Sequence, residues 1–200
     1  RVLFRSRQPM VSRCGNFVIT FNGEIYNYRE IALHLRQQGI PLRTTSDTEA
    51  LLELFALEGP ECVQKLRGMY AFAVWDRSTR RLTLIRDPYG IKPLYYAALP
   101  NGFLFASEIK ALLACPDLDT SLDRQSVFNH IGTTFNPSDA TFLKSVRKVP
   151  PSASIETDGV SLSVTAGPLP FEHIGDRQKR SVSLDQASME YGQLLDEVVH

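Results

Sequence analysis

Asn22, Gly23, Glu24 and Asp47 are the residues of this 200-residue chain whose types and spacing could do chemistry. An Asn side-chain amide beside a Gly backbone N–H can aim two donors at one developing alkoxide, and Gly lets the backbone approach closely because it lacks a Cβ. The same Asn-Gly pair after a strand is also the strongest short hairpin signal, with Tyr26 and Tyr28 as ordinary half-buried aromatics. Asp47 has two sides as well. In Ser46-Asp47-Thr48-Glu49, Ser46 can cap a helix whose macrodipole suits Asp47. Alternatively, Glu24 and Asp47 could grip a substrate α-amino group through charge-assisted hydrogen bonds.

The elements that must position these residues follow from the hydrophobic pattern. Phe17-Val18-Ile19-Thr20-Phe21 predicts a strand ended by Asn22-Gly23. Residues 28–38 carry Ile31, Ala32 and Leu35 at helical spacing, with Gly39 as a stop. The Ser46 to Glu49 spacing fits a capping box that opens a helix through Ala50, Leu51, Leu54, Phe55 and Leu57. Residues 69–75 are a continuous apolar run and 81–86 alternate, which predicts two strands joined by a turn at Asp76-Arg77-Ser78-Thr79. Asp87-Pro88-Tyr89-Gly90 suits a type I turn. Residues 94–99 and 103–106 read as strands, and 108–114 and 124–131 as helices. Strands paired through turns, with helices between and after them, predict an α+β layered domain rather than βαβ winding. From 167 to 180 the proline, glycine and charge content marks a linker. Ser183 and Gln186 then form a second capping box, and Leu184, Ala187, Tyr191, Leu194, Leu195 and Val198 mark one helix face.

Apolar residues make up 43% and charged residues 22%. Those shares are ordinary for a globular chain and exclude disorder, collagen-like fibre and coiled coil. Twenty-two basic residues cancel twenty-two acidic ones, so neither nucleic acid nor a membrane is an expected partner. Cys14, Cys62 and Cys115 are too few and too widely spaced for a disulfide framework or a zinc pair, which suggests a reducing, cytoplasmic setting. GxSxG, HExxH, Walker A and GxGxxG motifs are absent. SxxK occurs at Ser107-Lys110 and Ser145-Lys148 without its companion motifs. His34, His130, His173 and His200 are scattered, and no metal site is expected.

Five blocks occur in one order: Asn22-Gly23-Glu24-Ile25-Tyr26-Asn27-Tyr28, Ser46-Asp47-Thr48-Glu49, Arg67-Gly68-Met69-Tyr70-Ala71-Phe72-Ala73, Arg86-Asp87-Pro88-Tyr89-Gly90-Ile91-Lys92-Pro93-Leu94-Tyr95-Tyr96 and Phe105-Ala106-Ser107-Glu108-Ile109-Lys110. With them the chain resembles, from about residue 8 to 151, the N-terminal glutaminase domain of glutamine-hydrolysing asparagine synthetases. These are class II glutamine amidotransferases of the N-terminal-nucleophile (Ntn) hydrolase type. The resemblance implies an α+β fold, a four-layer αββα sandwich, here without its first strands. It implies hydrolysis of glutamine to glutamate and ammonia. The ammonia would cross a tunnel to a C-terminal domain that activates aspartate with ATP and Mg²⁺; no cofactor is implied in this domain itself. Asn22 and Gly23 match the family's oxyanion hole. Glu24 and Asp47 match its contacts to the glutamine α-amino group. The blocks around Arg86 and Ser107 look structural and are given no chemistry.

The chain departs from the family at both ends. The family nucleophile is a cysteine at the mature N-terminus, in Met-Cys-Gly-Ile, whose own α-amine (pKa near ~7.7–8.0) serves as base. Neither that start nor the arginine upstream of Gln8-Pro9-Met10 that holds the α-carboxylate is matched here. Cys14-Gly15 imitates the motif at the entrance to a strand, without a free amine, and is not expected to be catalytic. Cys62 and Cys115 are expected to be buried thiols on helical segments. The expected organisation is an unmatched 1–7, an incomplete amidotransferase domain at 8–166, a linker at 167–182, and at 183–200 the first helix of a truncated ATP-dependent synthetase domain. Such a chain is expected to be inactive alone. Its expected partners are glutamine and its own synthetase domain, and the resemblance allows a homodimeric parent. Two other readings stay open: an amidotransferase with a different acceptor, and a non-catalytic binding or regulatory relative.

Overall fold

In the computed structural model, which describes residues 7–133, 139–167 and 182–199, the strand that begins at Phe17 does not stop at Asn22-Gly23. It runs on to Ile25 and pairs along its whole length, from Phe17 opposite Asp76 to Ile25 opposite Gly68. The hairpin expectation for Asn22-Gly23 is therefore wrong. A nine-residue antiparallel ladder overrides a two-residue turn signal.

In chain order the elements are β1 (Met10–Val11), β2 (Phe17–Ile25), α1 (Tyr28–Gln37), α2 (Asp47–Glu58), a 3-10 helix (Gly59–Lys65), β3 (Gly68–Asp76), β4 (Arg81–Arg86), β5 (Tyr95–Leu99), β6 (Gly102–Ala106), α3 (Ile109–Leu112), α4 (Arg124–Thr133), β7 (Arg147–Lys148), β8 (Ala153–Thr157), β9 (Leu162–Ala166) and α5 (Leu184–Val199). β1-β2-β3-β4-β8-β9 form one sheet and β6-β5-β7 a second, with antiparallel neighbours throughout. The chain divides into two units, Arg1–Leu169 and Pro170–His200.

The layers follow from the alternation of side chains along each strand. Phe72 and Val74 of β3, with Ile19 and Ile25 of β2, pack under Ile31 and Leu35 of α1 and Leu51, Leu54 and Phe55 of α2. The intervening Ala71 and Ala73 face the other way. With Leu84, Ala153 and Ile155 they meet Tyr96, Phe103 and Phe105 of the smaller sheet. The far face of that sheet is covered at Ala97 and Leu104 by Leu112 and Leu118. The order is helix, sheet, sheet, helix: the expected α+β, αββα arrangement. β3 reads as an uninterrupted apolar run because both of its faces are buried.

The Ser46 cap forms, its Oγ accepting the Glu49 N–H at 3.2 Å. The return half of the box does not. The Glu49 carboxylate instead accepts the Arg43 N–H at 2.8 Å and the Thr44 hydroxyl at 2.6 Å, and Thr44 Oγ1 takes the Ser46 N–H. The helix expected at 108–114 is shorter, Ile109–Leu112. β7, β8, β9 and the 3-10 helix had not been anticipated. Residues 168–181, most of the expected linker, lie outside the described residues. In the second unit Ser183 Oγ caps Gln186 as expected, at 3.2 Å. Leu184, Tyr191, Leu194 and Leu195 are exposed there, and the Val198 side chain lies outside the described residues. No helix among the described residues is long and apolar enough to cross a membrane.

Candidate active site

The ladder between β2 and β3 sets which way each backbone amide points. The Tyr26 N–H donates to the Arg67 carbonyl at 2.7 Å, one residue beyond the strand end. In an antiparallel pair, alternate residues exchange both bonds and the residues between them point away. Glu24 and Asn22 therefore turn their N–H groups toward β3. Phe21, Gly23 and Ile25 turn theirs to the opposite edge.

Two of those three outward amides are capped by side chains. Gln8 lies flat against Phe21, its Oε1 accepting the Phe21 N–H at 2.6 Å and its Nε2 donating to the Phe21 carbonyl at 2.9 Å. Asp47 Oδ2 accepts the Ile25 N–H at 3.2 Å. Between them the Gly23 N–H has no partner among the described residues. Glycine is required at this point by close approach. A Cβ at position 23 would run into the Met69 carbonyl oxygen and lie 2.7 Å from Tyr70 Cα.

Asn22 sends its side chain to the inter-sheet face of β2. There its Nδ2 donates to Ser107 Oγ at 3.0 Å, across the gap to the residue that follows β6. The pair lines a cavity of about 390 Å³ with Gln8, Ala71, Leu94 and Phe105. A second cleft between the sheets, about 440 Å³, is lined mainly by Val18, Trp75, Leu82 and Phe103 and includes none of the four candidate residues. The Ser107 block had been assigned no chemistry, and Gln8 had served only as the start of a match. Both prove to touch the candidate site. No local signal could have found them, because the Asn22–Ser107 pair is separated by 85 residues.

Asp47 opens α2. Its Oδ1 accepts the Thr48 N–H at 2.8 Å, leaving Oδ2 to reach Ile25. That places its carboxylate at the β2 edge two residues past Gly23, roughly 7 Å along the strand. Glu24 shares a face of β2 with Asn22 and is exposed, and its carboxylate has no hydrogen-bond partner among the described residues. Asn22, Gly23, Glu24 and Asp47 thus converge on one strand end.

The loop that delivers Asp47 is tied down by a buried carboxylate. Burial alone would push the Glu49 carboxyl up, but hydrogen bonds from Thr44 and Arg43 outweigh it and hold the group below its ordinary value. One helical turn on, burial pushes Glu53 up, although it accepts the Arg13 N–H at 2.6 Å. Arg86 is structural, as expected. It donates to the carbonyls of Lys92, Gly90 and Val149 at 2.7–2.8 Å and braces the turn after β4.

The cysteines stand apart from this edge. Cys14 is exposed beyond the opposite end of β2, its Sγ 3.2 Å from Ser12 Oγ. Cys62 is buried in the 3-10 helix, where desolvation, with Glu58 nearby, pushes the thiol up to about 12. Cys115 follows α3 and is half-buried, not fully buried on a helix as expected. Among the described residues no group of three His, Cys, Asp or Glu side chains is arranged to hold a metal.

A family model described as a glutamine amidotransferase domain matches residues 3–165. Asparagine synthetase (glutamine-hydrolyzing) 1 of Bacillus subtilis (strain 168) is 38% identical over 154 residues, 76% of this chain and 24% of that protein. A putative asparagine synthetase (glutamine-hydrolyzing) of Mycobacterium tuberculosis (strain ATCC 25618 / H37Rv) is 42% identical over 137 residues, 66% of this chain and 21% of that protein. The chain spans about a quarter of the length of these curated relatives. Among solved structures, the glutamine phosphoribosylpyrophosphate amidotransferase from B. subtilis, complexed with ADP and GMP, superposes with a TM-score of 0.55 at 23% identity. It covers 80% of this chain and 31% of that one, and supports the fold. With the match to the family model extending over most of its length, the chain belongs to the glutamine amidotransferase domain family.

Proposed function

We propose that this domain hydrolyses the side-chain amide of L-glutamine to glutamate and ammonia, with Asn22 and Gly23 as its oxyanion hole. The observation that carries the reading is the Gly23 amide on the outward edge of β2, which has no partner among the described residues, next to an Asn amide aimed into the inter-sheet cavity. A thiolate adds to the carboxamide carbon, and the C=O π pair moves to oxygen. The Asn22 Nδ2–H and the Gly23 N–H receive that charge. Collapse of the adduct, with a proton delivered to nitrogen, expels ammonia and leaves a thioester that water converts to glutamate. Such preorganised donors are worth roughly 10²–10³ each in rate. The Glu24 carboxylate, next along β2, and the Asp47 carboxylate, reaching the β2 edge from α2, would pair with the substrate α-ammonium. The attacking sulfur is none of Cys14, Cys62 or Cys115, because none stands at this edge. The family pattern assigns it to a cysteine at a mature N-terminus.

The names of the sequence relatives support asparagine synthesis as the use of the ammonia. The family resemblance adds aspartate as acceptor in an ATP-dependent synthetase unit, to which we assign the helix Leu184–Val199. ATP and Mg²⁺ belong to that unit, and no step here runs through them. The phosphoribosylpyrophosphate amidotransferase shares the fold, so the choice of acceptor rests on the sequence relatives alone. The three free thiols suit a reducing cytoplasm.

The test is release of glutamate and ammonia by the protein expressed from its complete reading frame, from L-glutamine and from Nα-acetyl-L-glutamine. Hydrolysis of free glutamine is expected, with kcat/KM for the acetylated compound lower by roughly 10- to 100-fold because the ammonium pair is lost. Failure to hydrolyse either compound overturns the reading.

A further inference from the structure

The geometry points to Ser107 as a positioning residue that sets the direction of the Asn22 amide, an inference that rests on the oxyanion reading above. The terminal torsion of an Asn side chain joins an sp³ carbon to a planar amide. Its energy profile is broad and roughly two-fold, so rotamer preference alone does not fix the amide plane. A catalytic donor must nonetheless be held within about 0.5 Å of its productive position. Something outside the side chain has to fix it.

Ser107 Oγ does so. It accepts one Nδ2 hydrogen at 3.0 Å, and because the amide is flat, fixing one N–H fixes the other. The second hydrogen has no partner among the described residues and is left for an incoming oxyanion. Ser107 is itself held from two sides, by the end of β6 at Ala106 and by α3, which starts at Ile109. The bond also links the two sheets. Asn22 belongs to the six-stranded sheet, while Ser107 leaves the three-stranded one. Sliding of one sheet over the other would therefore turn the donor. Phe105, two residues before Ser107, packs between the sheets with Ala71, Ala73 and Leu84 and opposes that sliding. On the neighbouring backbone, Gln8 pins Phe21 two residues before Gly23, so both donors are framed by side chains from distant parts of the chain.

The experiment measures kcat and KM for glutamine hydrolysis in the protein from its complete reading frame, in four variants: Ser107→Ala, Ser107→Thr, Asn22→Ala and the double variant Asn22→Ala/Ser107→Ala. Ser107→Ala is expected to lower kcat about 3- to 10-fold with KM nearly unchanged, the scale of one neutral hydrogen bond. Ser107→Thr keeps the hydroxyl and is expected to restore most of the rate. In the Asn22→Ala background the serine change is expected to cost nothing further, because it acts through the amide already removed. An unchanged kcat in Ser107→Ala, or the same loss with Asn22 already absent, overturns the positioning role while the oxyanion hole stands. An unchanged kcat in Asn22→Ala overturns the hole itself, and the role of Ser107 with it.

Discussion

Asp47 reaches back from the first turn of α2 to cap the Ile25 N–H at 3.2 Å, closing the outward edge of β2 two residues past the open Gly23 amide. One carboxylate thereby serves the fold and, in the proposed reading, the substrate. Asp47→Asn removes the negative charge and one of the two acceptor oxygens, so either the Ile25 or the Thr48 N–H loses its partner. KM for glutamine is expected to rise roughly 10-fold or more, the scale of a charge-assisted bond, with a loss of about 1–3 kcal/mol in stability. Steady-state kinetics and a melting curve check both. An unchanged KM would remove Asp47 from the binding site.

Gly23 tests the close approach of β2 to β3. In Gly23→Ala the new methyl meets the Met69 carbonyl and the Tyr70 backbone, neither of which can swing aside. The ladder must part or shift. Overpacking of this kind typically costs about 1–3 kcal/mol. Urea denaturation of the chain is expected to show at least that loss, and a stability equal to wild type would show that the strands lie further apart than described.

Glu49 and Glu53 sit one helical turn apart and titrate in opposite senses. The folded pKa of Glu49 is lowered, so its contribution to stability is present above its unfolded value of about 4.5 and is lost as pH falls through the folded value. The folded pKa of Glu53 is raised by burial, so the folded state favours its neutral form and loses stability as pH rises through that value. At pH 7, Glu49→Gln is therefore expected to destabilise and Glu53→Gln to be neutral or stabilising. The deficit of Glu49→Gln should shrink toward pH 3. Denaturation midpoints at the two pH values check the signs.

The thiols give a further check. Cys14 is exposed and is expected to react promptly with a disulfide reagent in the folded chain. Cys62, buried with its thiol pushed up to about 12, is expected to react only on unfolding. Cys14→Ser is expected to leave glutamine hydrolysis by the full-length protein unchanged. A large loss of kcat in that variant would mean that Cys14 reaches the site.

What could be read from the sequence was local or periodic. Ser46 announces α2 because capping is settled within four residues, and residues 69–75 announce a buried strand because apolar residues fill both faces. Asn22, Gly23, Glu24 and Asp47 were singled out through the order of the motif blocks; the structure brings them to one strand end, and their roles in the reaction are the proposal made above. Three things were not legible. The Asn-Gly pair looks like a turn until its partner strand is in place, since a ladder with β3 is decided some fifty residues away. β8 carries a buried alternation at Ala153, Ile155 and Thr157, but it is too short to stand out before its pairing with β4 is known. The contacts of Ser107 with Asn22 and of Gln8 with Phe21 join distant segments and leave no periodic trace.

The most direct test of the oxyanion hole is the turnover number of Asn22→Ala with L-glutamine, measured in the protein from its complete reading frame. Removing a donor used mainly in the transition state is expected to lower kcat by roughly 10²–10³, with little change in KM. A kcat within a few-fold of wild type would contradict the hole.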